Sequence, residues 1–247
     1  MAPLIIGGAS LAGRRWGPVV SGWLIGLPLT SGPVVFFVAI SHNQAFAAST
    51  VLGTMSGGLS LVAFCLAYAW LAVRVQWPLA ITGSILCFAA LTLLMQNIVM
   101  SLVPSFGLVI VVIITGLKLM PKGIQLNKKN SNPGPWDLPA RILIGTSFIL
   151  GLTGIAPFIG ARLTGLLSTL PLYTAILTIF AHRLQGPSGA ASVLRGLLFG
   201  LFGFSGFYLV LAFSLEHASL GASFLAATIA TLVIQGLSFL VMRHYHL

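Results

Sequence analysis

The chain has 247 residues, 57% of them hydrophobic and only 6% charged, with a mean hydropathy of +1.06 and a formal net charge of +10. So few charges cannot cover a water-soluble domain of this length, and no short segments alternate apolar and polar residues as a β-barrel requires. The basic residues sit at the ends of apolar runs, where they orient helices, so a nucleic-acid surface is excluded and the lipid bilayer is the expected partner.

Nine apolar segments are predicted, over roughly 3–13, 17–40, 48–73, 77–98, 104–120, 140–158, 161–182, 190–214 and 219–242. The first rises only about 16 Å at 1.5 Å per residue, short of a bilayer, so the count is eight or nine. Segment 17–40 carries a break at its centre, GWLIGLPLTSGP over Gly22–Pro33. Pro28 removes a backbone donor and clashes with the preceding turn, which frees carbonyls that lipid cannot satisfy. Thr30 and Ser31 place hydroxyls beside that exposed backbone.

Segment 48–73 is entered through Ala47, Ala48 and Ser49 and continues with Gly53 and Gly57, a G-x-x-x-G spacing that lets helix backbones approach closely. Cys65 and Cys87 lie inside apolar runs, so they read as small core residues and imply neither disulfide nor metal. After segment 104–120, residues 121–139 (PKGIQLNKKNSNPGPWDLP) form a linker that holds Asp137, one of only two acids.

The second half repeats the first. Sliding the chain by 143 positions lays Gly17–Ala69 on Gly160–Ala212 without a gap, and fifteen of the 53 pairs are identical. The matches cluster at Gly17/Gly160, Gly22/Gly165, Pro28/Pro171, Ala47/Ala190, Ser49/Ser192, Gly53/Gly196 and Gly57/Gly200, not at scattered leucines. Pro171 thus breaks its segment at the same depth as Pro28, with Tyr173 and Thr174 beside it. Ser49 and Ser192 are expected to bond across the contact between the glycine faces.

Each copy supplies four segments and 104–120 has no partner, so an odd number of crossings separates equivalent points. The fold class follows: an all-α polytopic membrane protein of two four-helix repeats with inverted topology, joined by an extra transmembrane helix. Its units are repeat 1 over 1–99, the linker helix and basic loop over 100–139, and repeat 2 over 140–247. Placing Arg14, Arg15, Arg74, Lys118, Lys122, Lys128, Lys129, Arg141, Arg183, Arg195 and Arg243 on the cytoplasmic side leaves only Arg162 outside, with the C-terminus cytoplasmic.

Charge inside the membrane is nearly absent. Glu216 and His217 fall at an outer helix end, and His182 reads as a solvated end residue. The deepest amide is Gln235, which the repeat pairs with Thr92. No nucleophile–base pair, metal spacing or phosphate loop is present, so neither catalysis nor a cofactor is expected.

The run SGWLIGLPLTSGPVVFFVAISHNQAFAASTVLGTMSGGLSLVAFCLAYAWLAVRVQWPLAITGSI resembles the small GlpM-type bacterial inner-membrane proteins. The likeness covers about residues 8–98, and 148–242 more faintly, as two such units fused through an extra helix. The resemblance implies a bacterial inner-membrane protein linked to exopolysaccharide production, and it carries over no functional residue.

The expected function is transport of a small polar solute or lipid-like molecule between the repeats, with Pro28, Thr30, Ser31, Pro171, Tyr173, Thr174 and Gln235 as substrate-binding residues. The alternative is a non-transporting scaffold, with other membrane subunits of an envelope or exopolysaccharide biosynthesis complex as partners.

Overall fold

The computed structural model describes residues 15–41, 44–98, 100–121 and 160–244, with single helical positions at 143, 147, 151 and 158. The predicted segment 3–13, nearly all of 140–158 and the linker beyond Pro121 lie outside the described residues. Every regular element described is an α-helix: α1 (Pro18–Ile25), α2 (Ser31–Ser41), α3 (Gln44–Ala72), α4 (Trp77–Met95), α5 (Leu102–Leu119), α6 (Ala161–Ser168), α7 (Leu172–Leu215) and α8 (Leu220–His244). Five stretches are long and apolar enough to cross a membrane: 46–72, 77–95, 102–119, 163–215 and 220–242. The chain is a multi-pass helical membrane protein.

The breaks expected from the prolines are complete. Segment 17–40 is not one kinked helix, because the proline break separates α1 from α2 completely. The second copy is divided likewise: segment 161–182 is interrupted between α6 and α7, and α7 comprises two helices that meet at a sharp kink at Gly186 (φ 74°, ψ −167°), followed by Pro187, in the gap between the predicted segments 161–182 and 190–214. Only glycine adopts that backbone cheaply, and the proline lacks the N–H that would have bridged the kink. Gly17 (φ 95°) and Gly160 (φ 81°) supply the same left-handed freedom in front of α1 and α6.

The layering inverts what water would select. The 18-residue apolar windows of the stretches containing α3 and α7 are 78% and 72% buried inside the protein, whereas those of α4, α5 and α8 are 28%, 22% and 22% buried. Large apolar side chains of the outer helices, such as Leu79, Leu86, Val103, Val111, Leu225 and Leu232, point outward, as contact with lipid tails requires. Inside, Val51, Met55, Val62, Phe64, Leu194, Leu198 and Tyr208 interlock around the two central helices. Their hydroxyls mostly bond back onto their own helix: Thr50 to Phe46 O (2.9 Å), Thr54 to Thr50 O (2.8 Å) and Ser205 to Leu201 O (2.8 Å).

The central helices run antiparallel. Phe204 of α7 lies beside Gly58 of α3, while Leu198, earlier in α7, lies with Val62, later in α3, around Gly116 of α5. The far end of α3 also meets the kink of α7, where the Tyr68 hydroxyl stands 3.3 Å from His182 Nδ1. At that same end the Trp70 indole donates to Leu119 O (3.1 Å) and Arg195 Nη2 donates to Pro121 O (3.2 Å). Arg74, Lys118, Arg183 and Arg195 therefore gather at one end of the bundle, and Glu216 caps α7 at the other.

Elements related by 143 positions coincide. Pro18–Ile25 maps onto Ala161–Ser168, and the starts of α3 and α4 map onto Pro187 and the start of α8. The short helices pack on the long helix of the opposite half, α1 on α7 and α6 on α3. The contacts are reciprocal: a Cβ on Gly22 would strike the Val193 carbonyl, and one on Gly165 would strike the Thr50 carbonyl. Val193 and Thr50 are themselves 143 positions apart. Such backbone contact without intervening side chains is what associates helices in lipid, where apolar burial offers no drive.

The G-x-x-x-G faces do pack the halves together, but on the short helices: Gly57 sits against Thr169, and Gly196 and Gly200 against Val19, Trp23 and Gly26. The bond expected between Ser49 and Ser192 does not form. Ser192 bonds Ser188 O in its own helix (2.9 Å) and Ser49 is exposed. At this contact the side-chain bond across the halves is Thr54 Oγ1 to Ser168 Oγ at 3.3 Å. Gly22→Val and Gly165→Val should each destabilise the purified protein by about 1–3 kcal/mol through overpacking. Gly107→Val, with nothing near its added carbon, should leave the detergent melting temperature unchanged.

Candidate functional site

The two breaks are built alike. In the first, Leu27 N bonds Leu24 O (3.2 Å), Leu29 N bonds Leu27 O (2.7 Å) and Gly32 N bonds Pro28 O (2.9 Å). In the second, Leu170 N bonds Leu167 O (2.9 Å), Leu172 N bonds Leu170 O (2.8 Å) and Ala175 N bonds Pro171 O (2.7 Å). Each proline lacks the N–H that would reach the carbonyl four residues back, so the preceding residue turns early and takes it. Each proline carbonyl then accepts the first bond of the next helix.

Between the breaks lies a cavity of about 40 Å³ lined by Ile25–Leu27, Leu29–Ser31, Thr169–Pro171, Tyr173 and Thr174, and closed by Leu61, Leu197, Leu201 and Phe204. Five of the seven residues singled out from sequence meet there: Thr30, Ser31, Pro171, Tyr173 and Thr174. Ser31 and Thr174 are buried, as is the Tyr173 hydroxyl, which has no hydrogen-bond partner within the protein. The space holds a water molecule or two and falls far short of the roughly 300–1,000 Å³ of small-molecule sites.

Pro28 and Gln235 do not line this cavity. Pro28 approaches Gly32 on the side where Phe207 packs. Gln235, from α8, donates through Nε2 to the Trp23 carbonyl at 2.8 Å. Trp23 is one of the last residues of α1, and the break leaves its carbonyl without the backbone partner a continuous helix would provide. The Trp23 indole in turn donates to Ser238 Oγ (3.0 Å) and packs on Phe239, ring centres 5.0 Å apart. In the second break the acceptors are served locally: Ser168 Oγ bonds Gly165 O (2.6 Å) and Thr169 Oγ1 bonds Leu166 O (2.6 Å). Gln235 is thus a cap supplied from another helix, doing for α1 what Ser168 and Thr169 do for α6.

Three further groups lie outside the set of site residues assigned from sequence. Thr169 belongs to the cavity wall, and its hydroxyl closes the end of α6. Tyr208 is fully buried, its hydroxyl near Ser31 of the cavity wall, although the run GFSGFYLV that holds it looks purely apolar. His182, read as a solvated end residue, is half-buried and bonded to Tyr68. Thr169 stands two residues before Pro171 in sequence, whereas Tyr208 and His182 carry no signal beyond residue type.

Among the described residues no group of three or more His, Cys, Asp or Glu could hold a metal. No protein-family model matches the chain, and no characterised protein or solved structure does either. Gln235→Leu, close in volume, should cost about 1–3 kcal/mol by stranding the Trp23 carbonyl in an apolar interior. Thermal unfolding in detergent checks this, with Thr228→Val, whose hydroxyl serves only its own exposed helix face, as the neutral control.

Proposed function

We propose that the chain is an integral membrane transport protein, moving a small polar solute or lipid-like molecule through a pathway between two inverted four-helix repeats. In this reading 1–99 and 140–247 are the repeats, and α5 with the basic loop, 100–139, joins them. The observation that carries the reading is the meeting of two congruent helix breaks around one polar-lined cavity, between halves whose long helices are antiparallel. Inverted repeats with discontinuous helices place binding near the midplane, where unwound backbone and hydroxyls replace water around the cargo. Thr30, Ser31, Tyr173 and Thr174 offer hydroxyls and no charge, which suits a neutral or weakly polar cargo.

The cavity as described holds only a water molecule or two, so transport requires a second arrangement in which it widens toward one side. The small volume favours the second reading, in which the chain is a non-transporting scaffold of an envelope-biosynthesis complex and the breaks serve packing. Placement in a bacterial inner membrane with a cytoplasmic C-terminus belongs to the same proposal, together with the kinship to GlpM-type proteins.

Accessibility separates the two readings without knowledge of the cargo. Single cysteines at Thr30 and Thr174, in a chain with Cys65 and Cys87 replaced by serine or alanine, should react with a membrane-impermeant thiol reagent from at least one side. Pro28→Ala with Pro171→Ala should slow that labelling several-fold while protein level is kept. Cysteines inert from both sides would leave the scaffold. Reporter fusions test orientation separately: the turn 73–76 and the C-terminus should report one side of the membrane, and 96–101 and 216–219 the other.

A further inference from the structure

At the end of the bundle that gathers the basic residues lies a much larger, open cavity. Its volume is about 670 Å³, and it is lined by Ala72, Arg74, Gln76, Leu79, His182 and Pro187 among others. It forms where the short turn from α3 to α4 passes the kink of α7, so the left-handed Gly186 and the following proline hold its far wall in place.

The cations around it are held but not neutralised. The Arg74 guanidinium stands 5.6 Å from the Trp70 ring centre, and the Arg183 guanidinium 5.7 Å from that of Trp77, distances at which a cation is attracted to the ring face. A guanidinium kept over an aromatic ring is pre-oriented and still presents its N–H edge. His182 spends Nδ1 on the Tyr68 hydroxyl and keeps Nε2. The first turn of α4, at Gln76 and Leu79, adds the positive end of a helix. No carboxylate faces this cluster from the described helices: the chain's two acids are Asp137, outside the described residues, and Glu216, at the opposite end.

We infer that this cavity binds the phosphate of an anionic phospholipid, with the lipid's acyl chain lying against the outward faces of Val73 and Leu79. Arg74 and His182 line the cavity and Arg183 follows His182 in sequence, stacked on Trp77, a donor set suited to phosphate oxygens that no carboxylate of the described residues satisfies. The surroundings select a lipid over free phosphate. Val73 and Leu79 line the same cavity and are 42% and 65% exposed, an apolar continuation that only an acyl chain would cover. Trp70 and Trp77 sit at the ends of their spans, at the depth where lipid headgroups begin. The site is separate from the break cavity and stands whether or not the chain transports.

Lipid titration of the full-length protein in neutral detergent tests this, read by thermal unfolding and by native mass spectrometry. Phosphatidylglycerol should raise the melting temperature and remain bound, whereas phosphatidylcholine and inorganic phosphate should do neither. Arg74→Gln with Arg183→Gln should weaken phosphatidylglycerol binding about thirtyfold, the combined effect of two surface cations. Arg15→Gln, an exposed cation outside the cavity, should leave binding unchanged. Should the double variant fold poorly, Arg74→Lys with Arg183→Lys keeps the charge and should bind with intermediate strength. Equal binding by the wild type and both double variants, or equal stabilisation by inorganic phosphate, would overturn the assignment.

Discussion

The structure depends on two places where helix backbones touch without side chains between them, Gly22 on the Val193 carbonyl and Gly165 on the Thr50 carbonyl. In lipid the tails outside are as apolar as any core, so burial of leucine does not hold helices together and close packing must. Each contact fastens an eight-residue helix to the long helix of the other half. An isolated helix of that length, rising about 12 Å, has no stability of its own and cannot cross a bilayer. It persists because a glycine face accepts it, and its direction and depth are set by that face.

Once the short helices are fixed, the positions of the breaks follow. A helix ending inside a membrane leaves carbonyls that water cannot reach, and each stranded group is costly. The two halves solve this differently from nearly the same sequence. Where the second copy has Ser168 and Thr169, whose hydroxyls turn back onto the last carbonyls, the first has Ile25 and Gly26, which have nothing to offer. Gly26 is required there because Gly200 of α7 presses directly on it. The missing donor is supplied by Gln235 from α8, whose equivalent in the first copy is Thr92. One steric demand thus explains an asymmetry in three pairs of positions.

The helical membrane class, most helix boundaries and the location of the breaks could be read from residue order, because each rests on a local property: apolar run length, a missing proline N–H, or a small-residue stripe. The boundaries of α4, α5 and α8 fall within a few residues of the apolar windows for this reason. What could not be read is partnership. Glycine spacing announces a close approach but not to whom, so Gly57 and Gly200 gave no hint that they grip α6 and α1. Ser192 illustrates the opposite error: a hydroxyl on a packing face bonds its own helix four residues back more cheaply than it reaches a neighbour. Gln235 was visible as the deepest amide, but its partner is a backbone carbonyl 212 positions away, freed by a break in another helix. The interruption at Gly186 and Pro187, by contrast, falls in the gap between the predicted windows 161–182 and 190–214.

The crossed fastening has a mechanical consequence for the cavity between the breaks. Because α1 is clamped to α7 yet covalently leads into α2 and α3, and α6 is clamped to α3 yet leads into α7, each break is the joint between an element moving with one half and an element moving with the other. A slide of α3 against α7 cannot be absorbed at the clamps, where backbones already touch and no side chain can repack. It falls instead on Gly26–Thr30 and Thr169–Pro171, which bond mostly to themselves through short turns. Those are the residues that wall the cavity, so its volume is tied to the register of the two central helices. The hydroxyl of Tyr173 is buried beside those residues with no partner within the protein. A duplicated chain fastened in parallel, each short helix on its own half, would leave the breaks free of that strain and the cavity indifferent to it.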